Sequence, residues 1–296
     1  MTDRRAFRRM VEAPEILVLP GVFNGFSVRL VERAGYKAAA ITGAGLSENL
    51  LGWADRGILT FDENLRACRA LVDCSGIPLL ADADTGYGNA LNVHFVTRAF
   101  ENAGLTAISI EDQVWPKRCG HMEGKRVIPA QEMADKVKSA VDARRDPDFM
   151  IRARTDAAAT DGIPEVIDRL NIYAEAGADI LFADALLSAE DIRTVAHNVL
   201  RPLAVNMGFG LMERGTTPLL TPKQLQALGA GTVSYARMLS SAALRGMMNA
   251  LDAFAPTISA ETPTHRPDLL VSFNELNDLM GAKTLDEIEG KFTHKQ

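Results

Sequence analysis

Eight short apolar runs recur along the chain, at residues 15–20 (E-I-L-V-L-P), 37–42 (K-A-A-A-I-T), 77–83, 107–111, 149–155 (F-M-I-R-A-R-T), 179–184, 202–206 and 232–236. They are nearly continuous rather than alternating, the pattern of parallel strands buried on both faces. Helical periodicity fills the intervals at 26–34, 92–102, 130–143, 164–176, 189–198 and 222–228. Residues 1–14 predict a short lead-in helix. Ala34-Gly35, Ala103-Gly104, Ala176-Gly177 and Leu228-Gly229 each stand shortly before a strand. Each reads as a helix ended by glycine that turns the chain into the next strand. Strand–helix units with right-handed crossovers close most simply into an α/β fold of the (β/α)8 TIM-type barrel class. The alternative, a doubly wound sheet, calls for a glycine-rich dinucleotide fingerprint after the first strand. G-V-F-N-G at 21–25 is not one.

The pattern changes after residue 236. Residues 240–254 read as a long Ala/Leu/Met-rich helix, 256–267 as a linker with three prolines, and 269–280 as a further amphipathic helix before a frayed end. The expected organisation is a barrel over 1–255 that carries the active site, followed by an arm and C-terminal helix over 256–296. That helix could pack on its own barrel or on a neighbour's.

Polar residues follow the apolar runs at Asn24; Thr42; Asp82 and Asp84; Glu111 and Asp112; Arg154 and Asp156; Asp184; and Asn206. In a barrel the C-terminal strand ends build the active site, and packing alone does not call for so many polar groups there. Asp82 and Asp84, at spacing two, are expected on one side of a strand. With Glu111 they form an oxygen-rich cluster suited to Mg2+ or Mn2+; the bland reading is an acidic strand end with an Asp helix cap. Thr42-Gly43-Ala44-Gly45 offers a hydroxyl and open backbone N–H groups to a carboxylate or phosphate, though glycine after a strand is ordinary turn chemistry. Arg154 inside an apolar strand needs an anion, either a substrate carboxylate or a structural partner such as Asp184 or Glu111.

Residues 109–125 read S-I-E-D-Q-V-W-P-K-R-C-G-H-M-E-G-K. Cys119 lies between two bases and an imidazole, where a thiol would ionise near neutral pH and could exchange a proton. K-R-C alone also fits a solvated basic loop around a structural cysteine.

Composition narrows the classes. Hydrophobic residues make up 47% and charged residues 24% of 296, an ordinary globular balance. A formal net charge of −6 argues against nucleic acid as partner. No apolar run approaches the roughly 20 residues of a membrane helix, and the charged N-terminus argues against a signal peptide. Three scattered cysteines, Cys68, Cys74 and Cys119, suggest neither a disulfide framework nor a zinc site. They fit a reducing, cytoplasmic location.

A-D-A-D-T-G-Y-G at 81–88, S-I-E-D-Q at 109–113, P-K-R-C-G-H at 116–121 and A-R-T-D at 153–156 resemble the isocitrate lyase / phosphoenolpyruvate mutase superfamily over about residues 5–255. The K-R-C-G-H loop resembles the lyase branch, that of the 2-methylisocitrate and 2,3-dimethylmalate lyases. The resemblance implies a barrel whose late helix is exchanged between subunits in a homotetramer. It implies a Mg2+ site at Asp82, Asp84 and Glu111, partly through water, with Asp55 near the metal. It also implies an oxo-acid seat at Thr42, Gly43 and Ala44. Gly120, His121, Arg154, Asp184 and Asn206 match substrate-binding or catalytic positions, and Cys119 matches the loop acid/base.

The implied chemistry is Mg2+-dependent carbon–carbon cleavage of a 2-hydroxy di- or tricarboxylate to pyruvate and a carboxylate. Two departures favour an alkylmalate-type dicarboxylate. Asp184 stands where such lyases usually carry Glu. N-M-G-F-G-L-M-E-R-G at 206–215 replaces N-x-T-E-F-G. The competing expectations are a phosphonomutase, an oxaloacetate hydrolase or decarboxylase, and a non-enzymatic barrel. The intact K-R-C-G-H loop argues against the first, and the intact polar cluster against the last.

Overall fold

The computed structural model describes residues 3–118, 124–215 and 217–292. Eight parallel strands, β1 (Leu17–Val22), β2 (Ala39–Ile41), β3 (Leu79–Asp82), β4 (Ala107–Glu111), β5 (Met150–Thr155), β6 (Ile180–Ala183), β7 (Leu203–Asn206) and β8 (Ala230–Tyr235), form a closed barrel in sequence order. β1 and β8 seal it through the register Leu17↔Thr232 to Pro20↔Tyr235. The expected (β/α)8 class is therefore observed.

The helices are α1 (Arg4–Glu12), α2 (Gly25–Arg33), the single turn α3 (Gly43–Leu46) running into a π-helical stretch (Ser47–Leu51), α4 (Phe61–Asp73), α5 (Ala90–Asn102), α6 (Ala130–Ala143), α7 (Ile163–Glu175), α8 (Ala189–Asn198) and α9 (Pro222–Ala227). Their apolar faces and the outward strand residues make the larger core. Phe100, Val137, Leu170 and Val195 pack there against Ile108, Ile151 and Val205. The barrel interior is a second core of Leu17, Leu19, Leu80, Met150, Ile180 and Phe182, and Phe7 and Val11 of α1 join it. Each buried side chain of that size contributes about 1.5–3 kcal/mol. Arg4 and Arg8 hold α1 in place, through Leu105 O (2.9 Å) and Asp179 (3.0 Å).

Some boundaries differ from expectation. β1 starts two residues later than residue 15 and runs past Pro20, because Gly21 and Val22 pair with Ala40 and Ile41. Gly21 passes so close to β8 that a Cβ there would lie 2.6 Å from Ala236 O. β8 begins two residues earlier than expected. Helix α4 was not anticipated. Of its apolar residues Cys68 and Leu71 are buried and Phe61, Leu65, Ala67 and Val72 pack half-buried on the core, and Thr60 and Glu63 form a reciprocal capping box at its start.

By its contacts the chain forms two compact units, Met1–Leu239 and Ser240–Gln296. The second unit contains most of α10 (Met238–Phe254), followed by α11 (Phe273–Leu279) and α12 (Ala282–Phe292). Where one helix was expected at 269–280, Ser272 caps α11. Gly281, at φ +75°, separates it from α12, which occupies the end expected to fray. Among the described residues no helix is long and apolar enough to cross a membrane.

Candidate active site

A cavity of about 50 Å³ opens among the C-terminal strand ends. Its wall includes Thr42 after β2, Asp82 closing β3, Arg154 of β5, Asp184 after β6, Asn206 closing β7 and Ala236 after β8, with Ala44, Asp55, Lys117, Arg118 and Arg237. Seven residues expected at the site from the sequence thus share one space: Thr42, Ala44, Asp55, Asp82, Arg154, Asp184 and Asn206. Glu111 and Asp84 adjoin it through Arg154 and Lys117. Gly43 adjoins it through Asp82. Cys119, Gly120 and His121 lie outside the described residues.

Arg154 is gripped on three sides. Nε and Nη2 donate to the two oxygens of Asp156 at 2.8 and 2.9 Å, Nη2 also donates to Asp184 Oδ2 at 2.8 Å, and Nη1 stands 3.3 Å from Glu111 Oε2. Both structural partners considered from the sequence are present, and Asp156 is a third. Burial alone would favour the neutral form, but Asp156, Asp184 and Glu111 outweigh it and hold Arg154 as a cation. Its fork is therefore fixed by the bonds from Nε and Nη2, with Nη1 left to its ion pair with Glu111. Burial raises Glu111 well above the usual carboxylate range against the pull of Arg154, and Asp156 adds to the rise.

The carboxylates on the β3 side gather around Lys117. Its Nζ lies 2.7 Å from both oxygens of Asp55 and 2.8 Å from Asp84 Oδ1. The Asp84 contact is an ion pair whose angle falls outside hydrogen-bond geometry. Burial pushes Asp84 up to about 6 despite Lys117, with Asp82 and Asp55 adding repulsion. Burial opposes the charge on Lys117, but Asp84 and Asp55 lead in raising it well above the ordinary lysine value. Asp82 and Asp84 do not share a strand face as expected. β3 ends at Asp82, Asp84 takes a left-handed φ of +48°, and its N–H donates to Asp82 Oδ1 at 3.1 Å. Short polar side chains tolerate that conformation. Ala185, next to Asp184, is also left-handed (φ +59°), a placement that costs about 1–2 kcal/mol outside glycine.

The Thr42-Gly43-Ala44 seat is less open than its sequence suggests. Thr42 caps α3, its Oγ1 accepting from Gly45 N at 3.2 Å, and Gly43 N donates to Asp82 Oδ2 at 3.3 Å. A Cβ at Gly43 would meet Asp82 Oδ2 at 2.8 Å, so a side chain there would push the Asp82 carboxylate out of its present position.

Among the described residues no group of three Asp, Glu, His or Cys side chains is placed to ligate a metal directly. The donor set nevertheless fits Mg2+, which keeps several waters and takes one or two carboxylates. Asp82 faces the cavity, and Asp55, Asp84 and Glu111 surround it. Burial raises both Asp84 and Glu111, and neighbouring carboxylates add to the rise, so a cation bound beside them would favour their ionised forms.

The segment bearing K-R-C-G-H is anchored at its described ends. Gln113 pairs with Val127, Val114 N donates to Arg126 O and Ile128 N to Asp112 O, both at 2.8 Å. Gln113 Nε2 bonds Glu111 and Arg118 O, while Gln113 Oε1 accepts from Arg118 N. Lys125 reaches Asp156 at 2.9 Å. Asp112, fully buried, accepts from Thr155, Tyr173 and Arg169 and is a structural hub. Asn24 caps α2. Neither contributes to the cavity wall.

Sequence reasoning did not assign Lys117, Arg237 or Arg152 to the site. A basic residue 62 positions from Asp55 gives no local signal of a pair. Arg152 was visible beside Arg154 in I-R-A-R-T. It sits one pleat deeper, donates from Nε to Ser109 Oγ at 2.9 Å, and lies over the Phe182 ring that Arg154 also faces. Burial lowers it to about 10. Cys68 is buried, its thiol donating to Asn64 Oδ1, and burial raises it far above the ordinary thiol value.

The family model for phosphoenolpyruvate phosphomutase matches residues 7–255. The chain belongs to that family. It is thus an enzyme of the superfamily of lyases and mutases to which isocitrate lyase also belongs. It is 38% identical to 2,3-dimethylmalate lyase of Eubacterium barkeri, covering 99% of each chain. It is 35% identical to 2-methylisocitrate lyase of Salmonella typhimurium, covering 96% of this chain and 94% of that one. Oxaloacetate acetylhydrolase bound to the inhibitor 3,3-difluorooxalacetate superposes with a TM-score of 0.90 at 28% identity, covering 99% and 97%. Phosphonopyruvate hydrolase in complex with oxalate and Mg++ superposes with 0.86 at 28%, covering 99% of both. The family's relatives thus divide between C–C and P–C chemistry on one scaffold.

Proposed function

We propose that this enzyme is a Mg2+-dependent carbon–carbon lyase that cleaves a 2-hydroxy dicarboxylate of the 2,3-dimethylmalate type. The observation that carries the reading is the shared cavity: Asp82 and its neighbouring acids on one side, and Arg154 with Asp184 and Asn206 on the other. Full-length similarity to 2,3-dimethylmalate lyase supports it.

Asp82 would hold Mg2+, with Asp84, Glu111 and Asp55 acting through water. Bound there, Mg2+ would supply electrostatic stabilisation to oxygen charge developing on the substrate. The Thr42 hydroxyl and the Ala44 backbone border the position for the oxo-acid half. A base takes the C2 hydroxyl proton, the C2–C3 bonding pair passes to C3, and C2 becomes the carbonyl of pyruvate. A proton from Cys119 then converts the C3 carbanion to propionate. His121, Gly120 and Asn206 are proposed to bind substrate. Arg154, fixed by three acids, presents positive charge without reorganising. Lys117 ties Asp55 and Asp84 to the segment that would close over the substrate and exclude water.

The proposed assembly is a homotetramer of dimers that exchange a late helix, in the cytoplasm, with a small oxo- or hydroxy-acid as its partner. The apolar residues that α10 leaves exposed (Leu244, Met247, Leu251 and Phe254) support a helix that needs a covering surface.

A second reading, oxaloacetate hydrolysis or decarboxylation, is favoured by the oxaloacetate acetylhydrolase likeness. A lactate dehydrogenase-coupled assay separates the two. Pyruvate release from 2,3-dimethylmalate, abolished by EDTA and restored by Mg2+, supports the lyase. Oxaloacetate consumption with no pyruvate from 2,3-dimethylmalate supports the second reading.

A further inference from the structure

The end of β8 adds a cation that neither the motifs nor the proposed chemistry accounts for. Arg237 borders the cavity and is 20% exposed. Its Nη1 donates to Glu48 Oε1, and its backbone N–H donates to Gly208 O at 3.1 Å. Gly208 N in turn donates to Asn206 Oδ1 at 2.9 Å. Glu48 lies on the helical stretch that begins at the Thr42 cap. Glu48 thus holds the Arg237 guanidinium from the stretch continuous with the Thr42-Gly43-Ala44 seat, while Gly208, itself bonded to Asn206, fixes the Arg237 backbone. A guanidinium held by Glu48 on the wall of the cavity that Thr42 and Ala44 also line suits a second carboxylate on the same small molecule. Arg154 is less suited to that task, since its Nε and Nη2 already donate to Asp156 and Asp184 and its Nη1 faces Glu111 at 3.3 Å.

We infer that Arg237, positioned by Glu48, is the specificity-determining residue that binds the substrate's distal carboxylate and restricts the enzyme to dicarboxylates. The inference rests on the oxo-acid reading of the cavity, but its test requires no turnover.

Isothermal titration in the presence of Mg2+ compares two probes. Oxalate fills an oxo-acid seat and has no distal group. 3,3-Difluorooxaloacetate carries both ends. Arg237→Gln is expected to weaken 3,3-difluorooxaloacetate at least tenfold and to leave oxalate within about twofold. Arg237→Lys, which keeps charge without the fork, should fall between wild type and Arg237→Gln, and it stands in if the Gln variant does not fold. Equal weakening of both dianions would mean that Arg237 acts only through the general field at the mouth. Unchanged binding of both would mean that it touches neither. Either result overturns the inference. Failure of wild type to bind either probe would overturn the oxo-acid reading itself, and this inference with it.

Discussion

Lys117 Nζ lies 2.7 Å from each carboxylate oxygen of Asp55, 62 residues away in sequence. The same ammonium stands 2.8 Å from Asp84 Oδ1, and all three groups are buried. One side chain from the segment after β4 thus neutralises carboxylates from the β2 and β3 exits. The position of that segment and the charge of the acidic cluster are therefore linked.

Removing Lys117 leaves two acids buried without their cation. Lys117→Met is expected to cost about 3–5 kcal/mol of unfolding free energy, the usual penalty for breaking a buried pair. Adding Asp55→Leu should return at least about 1 kcal/mol of it, a coupling expected of side chains in contact. Activity should stay low in both variants. Urea unfolding and turnover on the same preparations check this, and purely additive stability losses would count against the link.

Arg154→Lys is expected to lower kcat/KM by about 10²–10³, the scale of losing one preorganised electrostatic contact. A lysine cannot reproduce the bonds that the fork makes to Asp156 and Asp184. Arg154→Met should also lower the melting temperature, because Glu111 and Asp184 then lose the Arg154 charge, while Asp156 retains Lys125. Steady-state kinetics with melting curves decide it. Arg154→Lys within twofold of wild type would remove Arg154 from its proposed role.

Asp184 accepts from Arg154 Nη2 at 2.8 Å. Asp184→Glu adds one methylene, enough to displace the guanidinium by about 1 Å, and errors of that size can cost about 10² in rate. The expected outcome is a shift of at least about tenfold in relative kcat/KM, away from 2,3-dimethylmalate and toward 2-methylisocitrate. An unchanged ratio would show that this carboxylate does not set substrate size.

The barrel was legible because each strand is a continuous apolar run, and Phe7 and Val11 show why a lead-in helix precedes them: they plug the interior. Helix α4 was missed although Phe61, Leu65, Cys68 and Val72 follow helical spacing and the Thr60–Glu63 capping box marks its start. Thr42, Asp82, Arg154, Asp184 and Asn206 were readable as polar groups ending apolar strands. Lys117 and Arg237 were not, because their partners Asp55 and Glu48 are distant in sequence and meet them only when the barrel closes. The left-handed turn at Asp84 was hidden for another reason. Spacing two predicts a common strand face only where the strand continues, and β3 stops at Asp82.

The most direct test of the central claim is NMR product analysis with Mg2+ on 2,3-dimethylmalate, 2-methylisocitrate, isocitrate, oxaloacetate and phosphonopyruvate, with Cys119→Ser run beside wild type. The lyase account predicts pyruvate and propionate from 2,3-dimethylmalate, both lost in Cys119→Ser. Phosphoenolpyruvate from phosphonopyruvate, or oxaloacetate turnover indifferent to Cys119→Ser with no cleavage of 2,3-dimethylmalate, would contradict it.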